Sequence, residues 1–586
     1  MAQRQKQAAR GEAASWPPFL CPLVERRIDR SIPAPYYPDV LPVISANQMR
    51  EVDRLTTAEY DIPSLTLMQN AANACFLEIK KRCSGKLADQ SVRVLCGPGN
   101  NGGDGAALAL LLSGAGVETE LILFGNIDET KGDARTNFDQ VREASRKPDS
   151  KLTLIECRSA DAWKALSRSS SSFKIIVDAL FGTGLTRPLE GIFADVVQDL
   201  TVTEKNGDVP FLLSVDIPSG LNSDSYELIG PCVEADVTVT FTAPKIANVL
   251  PPASHRNGKL IVADIGSPAQ LLPHPTSDLF IIDEDDARRW LVETRYRPES
   301  FKNSHGHVLV IAGSRGYTGA AVLCGNAAMR AGAGLTTIAT PNSAQASIAA
   351  TAMPEVMTTA LAETDLGAVS DSAIDHALQL ARKATVVAIG PGLTSADDRT
   401  RKFVRRVVAE RQTPIVVDAD GLNCLAPWPD SLIRSSQFPI ILTPHSGEML
   451  RLLGTTDKGT LDDRVGVARS FAKTNHVYLV LKGSPPLIAS PDGRVFINLT
   501  GNPGLGTAGA GDTLTGLIAG FMAQEFSRTT NEPDALQPTM AALYVGGLAG
   551  DLAASDLGMR FMLASDIREH IGPAICSLDP SGERRK

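Results

Sequence analysis

Short apolar runs rich in β-branched residues alternate with helical segments along most of the chain. Most runs end in a polar loop that contains glycine, as in RVLC before GPGNNGG, LLSV before DIPSG and VVAI before GPGL. Strands that alternate with helices predict a mostly parallel sheet with helices on both faces. In such sheets, ligands bind at the carboxyl ends of the strands. The functional residues are therefore expected in these loops.

The alternation occurs in two series, separated by a proline-rich segment near residues 266–283. A chain of 586 residues is too long for one ordinary core, since domains average about 150 residues. We expect two α/β domains, and the boundaries are a disordered tail at residues 1–42, a first domain at 43–267, a linker at 268–282, a second domain at 283–575 and a tail at 576–586. A cleavable organelle-targeting peptide is an alternative for the first tail.

Composition excludes several classes of function. The hydrophobic fraction of 43% and the charged fraction of 21% are typical of a globular protein. The net charge of −9 disfavours general nucleic-acid binding. No apolar run is long enough to span a membrane. Nine dispersed cysteines without a CxxC pair indicate reduced thiols and a cytoplasmic protein.

The segment GNPGLGTAGAGDTLTG, residues 501–516, holds seven glycines and one carboxylate, Asp512. A flexible linker is one explanation, but an apolar helical pattern follows the glycines directly and the preceding VFIN predicts a strand. Strand, glycine-rich loop and helix N-terminus together form a site for an anion. A carboxylate repels a nearby phosphate, so its presence here calls for a chemical role. One such role is to deprotonate the hydroxyl that is phosphorylated.

A strand-end lysine, Lys482, supports a phosphate site, although such a lysine alone is more often a solvated surface residue. GAGD, residues 509–512, resembles the anion hole of ribokinase-like phosphotransferases. The ordered motifs GHVLVIAGS, MPE, AIGPGL, VVDADGLN, LTPHSGEM, LKGS and GNPGLGTAGAGD then resemble the NAD(P)HX dehydratase family across residues 283–573. The resemblance implies a ribokinase-like α/β domain that dehydrates hydrated NADH or NADPH with ADP or ATP and Mg²⁺.

The resemblance also implies site residues. Asp512 is the expected base, and substrate contacts are expected at Gly334, Gly392, His445 and Asp512. For His445, a cap on backbone groups is an equal alternative. Nucleotide contacts are expected at Lys482, Gly483, Ser484, Asn502, Gly504, Gly506, Thr507, Ala508, Gly509, Ala510 and Gly511. The sequence departs from the family pattern at Ala510 and at Ser484–Pro485.

In the first half, GPGNNGGDG at residues 97–105 follows a strand and opens a helix, but it is not the GxGxxG dinucleotide fingerprint. A tight Asn-Gly turn is the plainer explanation. Together with DALFGTGL, DIPSG, ISANQMREVDRLT and LMQNAANA, however, it resembles NAD(P)HX epimerase across residues 43–267. The resemblance implies a Rossmann-like three-layer α/β/α sandwich.

This second resemblance implies a dinucleotide site and a potassium ion. The substrate contacts are expected at Asn100, Asn101, Gly102, Gly103, Asp104, Gly182, Thr183, Gly184, Leu185, Thr186, Arg187, Pro188 and Asp216. K⁺ is expected at Asn101, Asp178 and Ser219, since hard cations prefer oxygen ligands; Asp178 capping its own loop is the alternative. Asp216 is the candidate acid–base, by loss of hydroxide to an iminium or by ring opening.

The two halves together imply a bifunctional enzyme that epimerises R and S NAD(P)HX and dehydrates the S form. Its substrates would be NADHX and NADPHX, and a homo-oligomer is expected. One alternative is a small-molecule kinase, which the GAGD motif permits. Another is that the first half is a non-catalytic binding module. The kinase alternative gives the first half no use, and the presence of Asn100, Asp104, Asp178 and Asp216 together argues against a non-catalytic module.

Overall fold

The computed structural model describes residues 25–27, 40–83, 85–167, 173–202, 210–272, 278–432, 437–528 and 533–580. Most of the predicted N-terminal tail and residues 581–586 of the C-terminal tail lie outside these ranges.

The N-terminal half forms an eight-stranded sheet, with the order β1-β9-β8-β7-β6-β3-β4-β5 among the described residues. Every pairing in it is parallel. The strands of this half are β1 (Glu25–Arg27), β2 (Leu41–Pro42), β3 (Ser91–Cys96), β4 (Glu118–Leu123), β5 (Leu152–Glu156), β6 (Ile175–Ala179), β7 (Phe211–Val215), β8 (Val237–Phe241) and β9 (Lys259–Ala263). The helices are α1 (Ala46–Tyr60), α2 (Ser64–Arg82), α3 (Asn100–Gly114), α4 (Gly132–Ser145), α5 (Ala160–Ser167), α6 (Ile192–Val202) and α7 (Ile246–Val249).

Helices cover both faces of this sheet. Successive residues of a strand point to opposite faces, so each face contributes side chains to its own core. Val94 of β3 packs with side chains of α2, α3 and α4. Its neighbour Leu95 packs on the other face with Trp163 of α5 and Val196 of α6. The predicted three-layer arrangement follows from these two cores.

The C-terminal half forms an eleven-stranded sheet, with the order β13-β12-β11-β14-β15-β16-β17-β18-β19-β10-β2 among the described residues. Its strands are β10 (Leu279–Ile282), β11 (His307–Ile311), β12 (Leu335–Pro341), β13 (Met357–Leu361), β14 (Val386–Ile389), β15 (Ile415–Val417), β16 (Ile440–Leu442), β17 (Tyr478–Leu481), β18 (Leu487–Ala489) and β19 (Val495–Asn498). Only β18 and β2 pair in an antiparallel sense within the described chain.

Eleven helices follow in this half, and they again cover both faces of the sheet. They are α8 (Glu284–Glu293), α9 (Thr318–Arg330), α10 (Asn342–Thr351), α11 (Ile374–Ala381), α12 (Asp398–Ala409), α13 (Asp420–Leu425), α14 (Ser446–Leu452), α15 (Arg464–Asn475), α16 (Ala510–Ser527), α17 (Leu536–Leu557) and α18 (Ala564–Leu578), counted over the described residues. Val310 of β11 packs towards α9, α16 and α17, whereas Ile311 packs towards α12 and α15. The α/β fold in two halves is confirmed.

The halves are joined where the sequence predicted a tail and a linker. β2 lies at the end of the predicted tail and pairs antiparallel with β10, which lies in the predicted linker. Val43 N–H donates to Leu279 O at 2.9 Å, and Tyr226 Oη donates to Asp462 O at 2.9 Å. Both segments are therefore built into the second sheet.

No helix in the described ranges is long and apolar enough to cross a bilayer. All eight cysteines within the described residues are free thiols, and six of them are buried. Cys21 lies outside the described residues.

Candidate active sites

The predicted dehydratase residues collect at the carboxyl edge of the second sheet. Gly392 follows β14, His445 follows β16, and Lys482 directly follows β17. The glycine-rich loop follows β19 and leads into α16, whose first turn contains Asp512. Parallel strands bring residues that are distant in sequence to this edge, as the sequence analysis expected.

Lys482 is held in place by a buried carboxylate that the sequence analysis missed. Lys482 Nζ lies 2.8 Å from Asp418 Oδ1, and the Thr515 hydroxyl donates to Asp418 Oδ2 at 2.7 Å. Asp418, which follows β15, is 1% exposed. Glu448 Oε2 lies 3.8 Å from the same ammonium. The cation thus faces the first turn of α16 from inside an acidic pocket.

The position of Asp512 suits a general base. The pKa of its carboxyl is raised to about 7, mainly by burial, with the negative charge of Asp418 adding to the rise and the positive charge of Lys482 opposing it. Lys482 Nζ would lie 3.3 Å from a Cβ placed on the adjacent Gly511. A base with a pKa near neutrality combines a useful ionised fraction with proton affinity. Asp512 and Lys482 therefore form one site.

The glycine-rich loop is packed and is not a linker, so the linker alternative is wrong. Gly509 is the N-cap of α16 with φ of 86°, a left-handed conformation that favours glycine. The Asp551 carboxylate on α17 accepts from Gly501 N–H and Asn502 Nδ2, each at 2.9 Å. Asn502 Oδ1 in turn accepts from Gly504 N–H. These hydrogen bonds fix the start of the loop, which leads into the N-terminus of α16, a geometry suited to phosphate.

The three other predicted substrate contacts differ in position. Gly392 lies at the carboxyl edge, where its carbonyl accepts from the Ser314 hydroxyl at 2.7 Å. His445 caps α14, with Nδ1 accepting from Gly447 N–H at 2.9 Å, and its side chain is 55% exposed. Gly334 precedes β12 at the opposite edge, where an added Cβ would lie 1.6 Å from Lys302 O. The structure does not bring Gly334 together with Asp512.

The predicted epimerase residues collect at the carboxyl edge of the first sheet. Residues 100–104 form the start of α3, after β3, and Asp216 follows β7. Asn101 is 9% exposed, and within the described chain its Nδ2 has no hydrogen-bond partner. A Cβ placed on Gly182 would lie 3.1 Å from Asn101 Oδ1 and 3.3 Å from Asp216 Oδ2. These three residues therefore face one another. The remaining predicted contacts of this loop are Thr183, Gly184, Leu185, Thr186, Arg187 and Pro188.

Asp216 is paired with a lysine that the sequence analysis did not single out. Lys245 Nζ donates to Asp216 Oδ1 at 2.7 Å, to Thr240 Oγ1 at 2.9 Å and to Phe241 O at 3.2 Å. The Lys245 side chain is 1% exposed. Asp216 adopts φ of 65°, which is uncommon for a residue with a Cβ and typical of functional sites. Its Oδ1 is occupied, and its Oδ2 faces the Gly182 loop.

Asp178 and Ser219 bind each other in the structure. The Ser219 hydroxyl donates to Asp178 Oδ1 at 2.6 Å, and Ser219 N–H and the Ser214 hydroxyl donate to Oδ2. Burial raises the pKa of Asp178, while these donors oppose the rise. The Ser219 hydroxyl also lies 3.2 Å from Phe181 O, so its hydrogen can turn there and, within the described chain, leave Asp178 Oδ1 with only the Leu180 N–H, at 3.3 Å. The oxygen-rich set thus fits a monovalent cation.

Comparison with known proteins matches each half of the chain to a family model. A family model described as NAD(P)H-hydrate dehydratase matches residues 308–573, and one described as YjeF-related protein N-terminus matches residues 64–247. A bifunctional NAD(P)H-hydrate repair enzyme from Moorella thermoacetica is 38% identical over 547 residues, or 92% of this chain and 98% of its own length. The chain belongs to the family of bifunctional NAD(P)H-hydrate repair enzymes. The resemblance found from the motifs is confirmed.

Other members of this repair family match over a similar length. The protein of that name from Salinibacter ruber is 36% identical over 550 residues, or 93% of this chain and 98% of its own. A crystal structure of ADP/ATP-dependent NAD(P)H-hydrate dehydratase from Bacillus subtilis, co-crystallized with ATP/Mg²⁺, is 28% identical. It covers 51% of this chain and 98% of that chain, with a TM-score of 0.43.

Several polar residues at the two sites of this repair-family member escaped the sequence analysis: Asp53, Lys245, Asp418, Glu448, Thr515 and Asp551. Asp418 and Lys245 lie in quoted strand-end motifs, VVDADGLN and TFTAPK, so a systematic reading of every polar strand-end residue would have found them. Asp551 lies inside α17, where only the fold shows that it reaches the glycine-rich loop.

Proposed function

We propose that this chain repairs hydrated NADH and NADPH at two separate sites, with epimerisation in the first half and nucleotide-dependent dehydration in the second. The observation that carries the proposal is the pairing of Asp512, whose pKa lies near neutrality, with the partly buried cation Lys482 beside a phosphate-binding loop. Asp512 and Lys482 supply the base and the charge that phosphorylation of a hydroxyl requires.

The dehydration begins with proton transfer from the C6 hydroxyl of S-NAD(P)HX to Asp512. The hydroxyl oxygen bonds to the terminal phosphorus of ADP or ATP, and the bond from that phosphorus to the nucleotide oxygen breaks. The lone pair of the ring nitrogen then expels phosphate with the C–O electron pair, giving an iminium ion. Loss of a proton from C5 restores the dihydropyridine. The elimination succeeds because phosphate leaves more easily than hydroxide.

The nucleotide phosphates would lie against the Asn502 to Gly511 backbone and Lys482. Mg²⁺ would arrive with the nucleotide, since this cation binds mainly through phosphate oxygens and one or two carboxylates. Asp418 and Glu448 are carboxylates at this edge. When bound, the ion would neutralise the charge that develops on the transferred phosphoryl group.

In the first half, the substrate would lie across the start of α3 and the Gly182–Pro188 loop. Asp216 is the proposed acid–base at the carbon that bears the hydroxyl. K⁺ would be held by Asn101, Asp178 and Ser219, and when bound it would balance nearby negative charge. The Ser219 hydroxyl lies within hydrogen-bond distance of both Asp178 Oδ1 and Phe181 O, and these clustered oxygens support this assignment. A loss of epimerisation in Na⁺ buffer, restored by K⁺, would test it.

We also infer a homo-oligomer in a reducing, cytoplasmic compartment. Large apolar side chains are exposed on the second half, a property of surfaces that meet other proteins: Tyr296, Phe301, Tyr317, Leu366, Phe561 and Leu563. The free cysteines support the compartment. Light scattering at several concentrations would give the mass of the assembly.

The test of the function uses an epimeric mixture of NADHX with ADP or ATP and Mg²⁺, followed by the return of NADH absorbance. Full recovery is expected, because the first half converts the epimer that the second half does not accept. Recovery limited to the fraction of one epimer would leave only the dehydratase. A stable phosphorylated product without NADH would instead indicate a kinase.

A further inference from the structure

A second carboxyl group lies at the epimerase site on an element that the predicted contacts do not include. Asp53 is in the middle of α1, and within the described residues its buried Oδ1 has no hydrogen-bond partner. Its charge interacts with Lys245 and Asp216. Asp53 precedes the residues matched by the family model of the first half, which begins at residue 64.

α1 is fixed against the loop that carries Lys245. The helix begins at a capping box in which Ser45 Oγ accepts from Gln48 N–H at 3.2 Å. Just before it, Ile44 N–H donates to Pro244 O at 2.9 Å, and Met49 packs with Ala243. These contacts tie α1 to the residue next to Lys245. The position of Asp53 is therefore set by packing and backbone hydrogen bonds, as a reactive group requires.

The two carboxyl groups have different environments. Asp216 Oδ1 accepts from the ammonium of Lys245 and from Thr240 Oγ1, a charge-assisted arrangement that suits a carboxylate. Asp53 Oδ1 has no hydrogen-bond partner among the described residues, and burial raises the pKa of Asp53 to about 6, with Lys245 opposing the rise and Asp216 adding to it. Paired carboxyls whose environments differ in this way commonly serve as an acid and a base.

Other titratable groups face this pair. Asp104 of α3 interacts with both Asp216 and Asp53, and burial raises its pKa well above the usual range. Cys75 of α2, also buried, lies near Asp104 and Asp216, and burial raises the pKa of its thiol. Lys245 thus interacts with Asp216 and Asp53, and Asp104 adds a third acidic group beside these two carboxyls. A site with surplus carboxyl groups and one cation must keep part of that set protonated.

We propose that Asp53 is the general acid of the epimerase site and acts together with Asp216 as base. The inference rests on the proposed epimerisation. The protonated Asp53 gives its proton to the substrate hydroxyl, the C–O bond breaks with its electrons on oxygen, and water leaves. The ring-nitrogen lone pair forms the iminium ion. Water then adds to the opposite face, and Asp216 takes the proton that this water loses.

Atoms and protons balance over one turnover. One hydroxyl leaves as water and one returns from water, and the proton gained by Asp216 passes through solvent to Asp53 for the next turnover. In the reverse direction the two carboxyl groups exchange roles. Asn101 Nδ2 and Asp53 Oδ1, which lack hydrogen-bond partners in the part of the chain that the structure describes, are buried polar atoms that the substrate would satisfy. This route predicts incorporation of solvent oxygen into the substrate at each inversion.

The experiment compares the full-length wild type with Asp53→Asn, Asp53→Glu and Glu59→Gln, an exposed carboxylate at the end of the same helix. Conversion of one purified NADHX epimer into the other is followed by chromatography without nucleotide from pH 5 to 9. Dehydration of the S epimer with ADP serves as a measure of intact folding. Mass spectrometry in ¹⁸O-labelled water gives the oxygen incorporated.

We expect Asp53→Asn to lower epimerisation at least a hundredfold, typical of a lost general acid, with dehydration retained. The wild-type rate should fall as pH rises above about 6, and this dependence should be absent from the residual rate of Asp53→Asn. Asp53→Glu should recover part of the rate, and Glu59→Gln should match the wild type. Label should appear in the inverted product.

Three outcomes overturn the inference, in whole or in its water-loss step, while keeping the proposed function. In one, the wild type epimerises and Asp53→Asn does so at a similar rate. In a second, Asp53→Asn is slow but retains the wild-type pH profile, which would make Asp53 structural. Inversion without label would reject the water-loss step. A wild type that does not epimerise at all would instead reject the function proposed for the first half.

Discussion

Lys482 Nζ lies 2.8 Å from Asp418 Oδ1, and this contact joins two strand ends that are 64 residues apart in sequence. The carboxylate is 1% exposed, and its other oxygen accepts from Thr515 in α16. The pair therefore links β15, β17 and the helix that carries Asp512. It fixes a positive charge where phosphate would arrive, and it places a negative charge beside the proposed base.

Replacing Lys482 by Met should weaken the use of nucleotide. The substitution removes the cation and leaves Asp418 buried without its ion-pair partner, so we expect a loss of roughly a hundredfold in kcat/KM for ADP or ATP, the scale of a lost charge-stabilising donor. Steady-state kinetics with varied nucleotide would measure it. Lys473→Met, at an exposed position on α15, is the control and should be neutral. Equal kinetics for both variants would contradict the assignment.

Asp418→Asn should move the pH dependence of dehydration to lower pH. Asp512 must be ionised to act as base, so the wild-type rate should rise with pH through about 7. The negative charge of Asp418 raises the pKa of Asp512, and its removal lowers that pKa. The rising limb should therefore appear at a lower pH, with a smaller maximum rate because Lys482 is less firmly held. A limb that stays in place would show that Asp418 does not act on Asp512.

Asp512→Asn should abolish dehydration and stabilise the fold at high pH. The folded carboxyl has a pKa of about 7 against an ordinary value of 3.8. Folding therefore favours the protonated carboxyl. The contribution of this group to the free energy of unfolding is full below pH 3.8 and is lost as pH rises through about 7. The Asn variant avoids this loss, worth on the order of 2–4 kcal/mol at pH 9 and much less near pH 4. Denaturant unfolding at both pH values would measure the difference, and a difference that does not change between pH 4 and pH 9 would mean that the pKa of Asp512 is not raised in the folded protein.

The sequence predicted a strand correctly where the strand itself has a continuous apolar pattern. Strands with continuous β-branched runs, such as Val386–Ile389 and Ile415–Val417, were identifiable because they are buried on both faces. Leu41–Pro42 is too short to show any periodicity, and Leu279–Ile282 lies in a proline-rich context that predicted a linker.

The candidate site residues also differ in how far the sequence could predict them. Asp512 and Asp216 could be predicted as site residues because strand-end loops and family motifs mark them. Asp418 and Lys245 are equally central, but their roles depend on contacts between separate strands, at 2.8 Å and 2.7 Å. Sequence spacing carries no information on which strand-end carboxylate reaches which lysine. The packing of the sheet decides it.

Lys245→Met should separate the two activities. The substitution leaves the Asp216 carboxylate buried without its cation, and loss of one partner of a buried pair costs several kcal/mol. We expect epimerisation to be lost and dehydration of the purified S epimer to be retained, because the second site lies on another sheet. Assays of both activities on one preparation would show this. Parallel loss of both activities in a stably folded variant would indicate that the sites are coupled.

Gly516→Ala should destabilise the second half by wedging two helices apart. A Cβ at Gly516 would lie 2.1 Å from Cys324 O, a backbone atom of α9 that cannot move alone. Overpacking of this kind typically costs about 1–3 kcal/mol. Gly114→Ala is the matched control, since nothing lies within 4 Å of its added Cβ at the end of α3. Urea unfolding of both variants would measure the change in the free energy of unfolding.

The displaced α16 should also carry Asp512 away from Lys482, so Gly516→Ala should dehydrate more slowly. A stable, fully active Gly516→Ala variant would mean that the two helices are not closely packed.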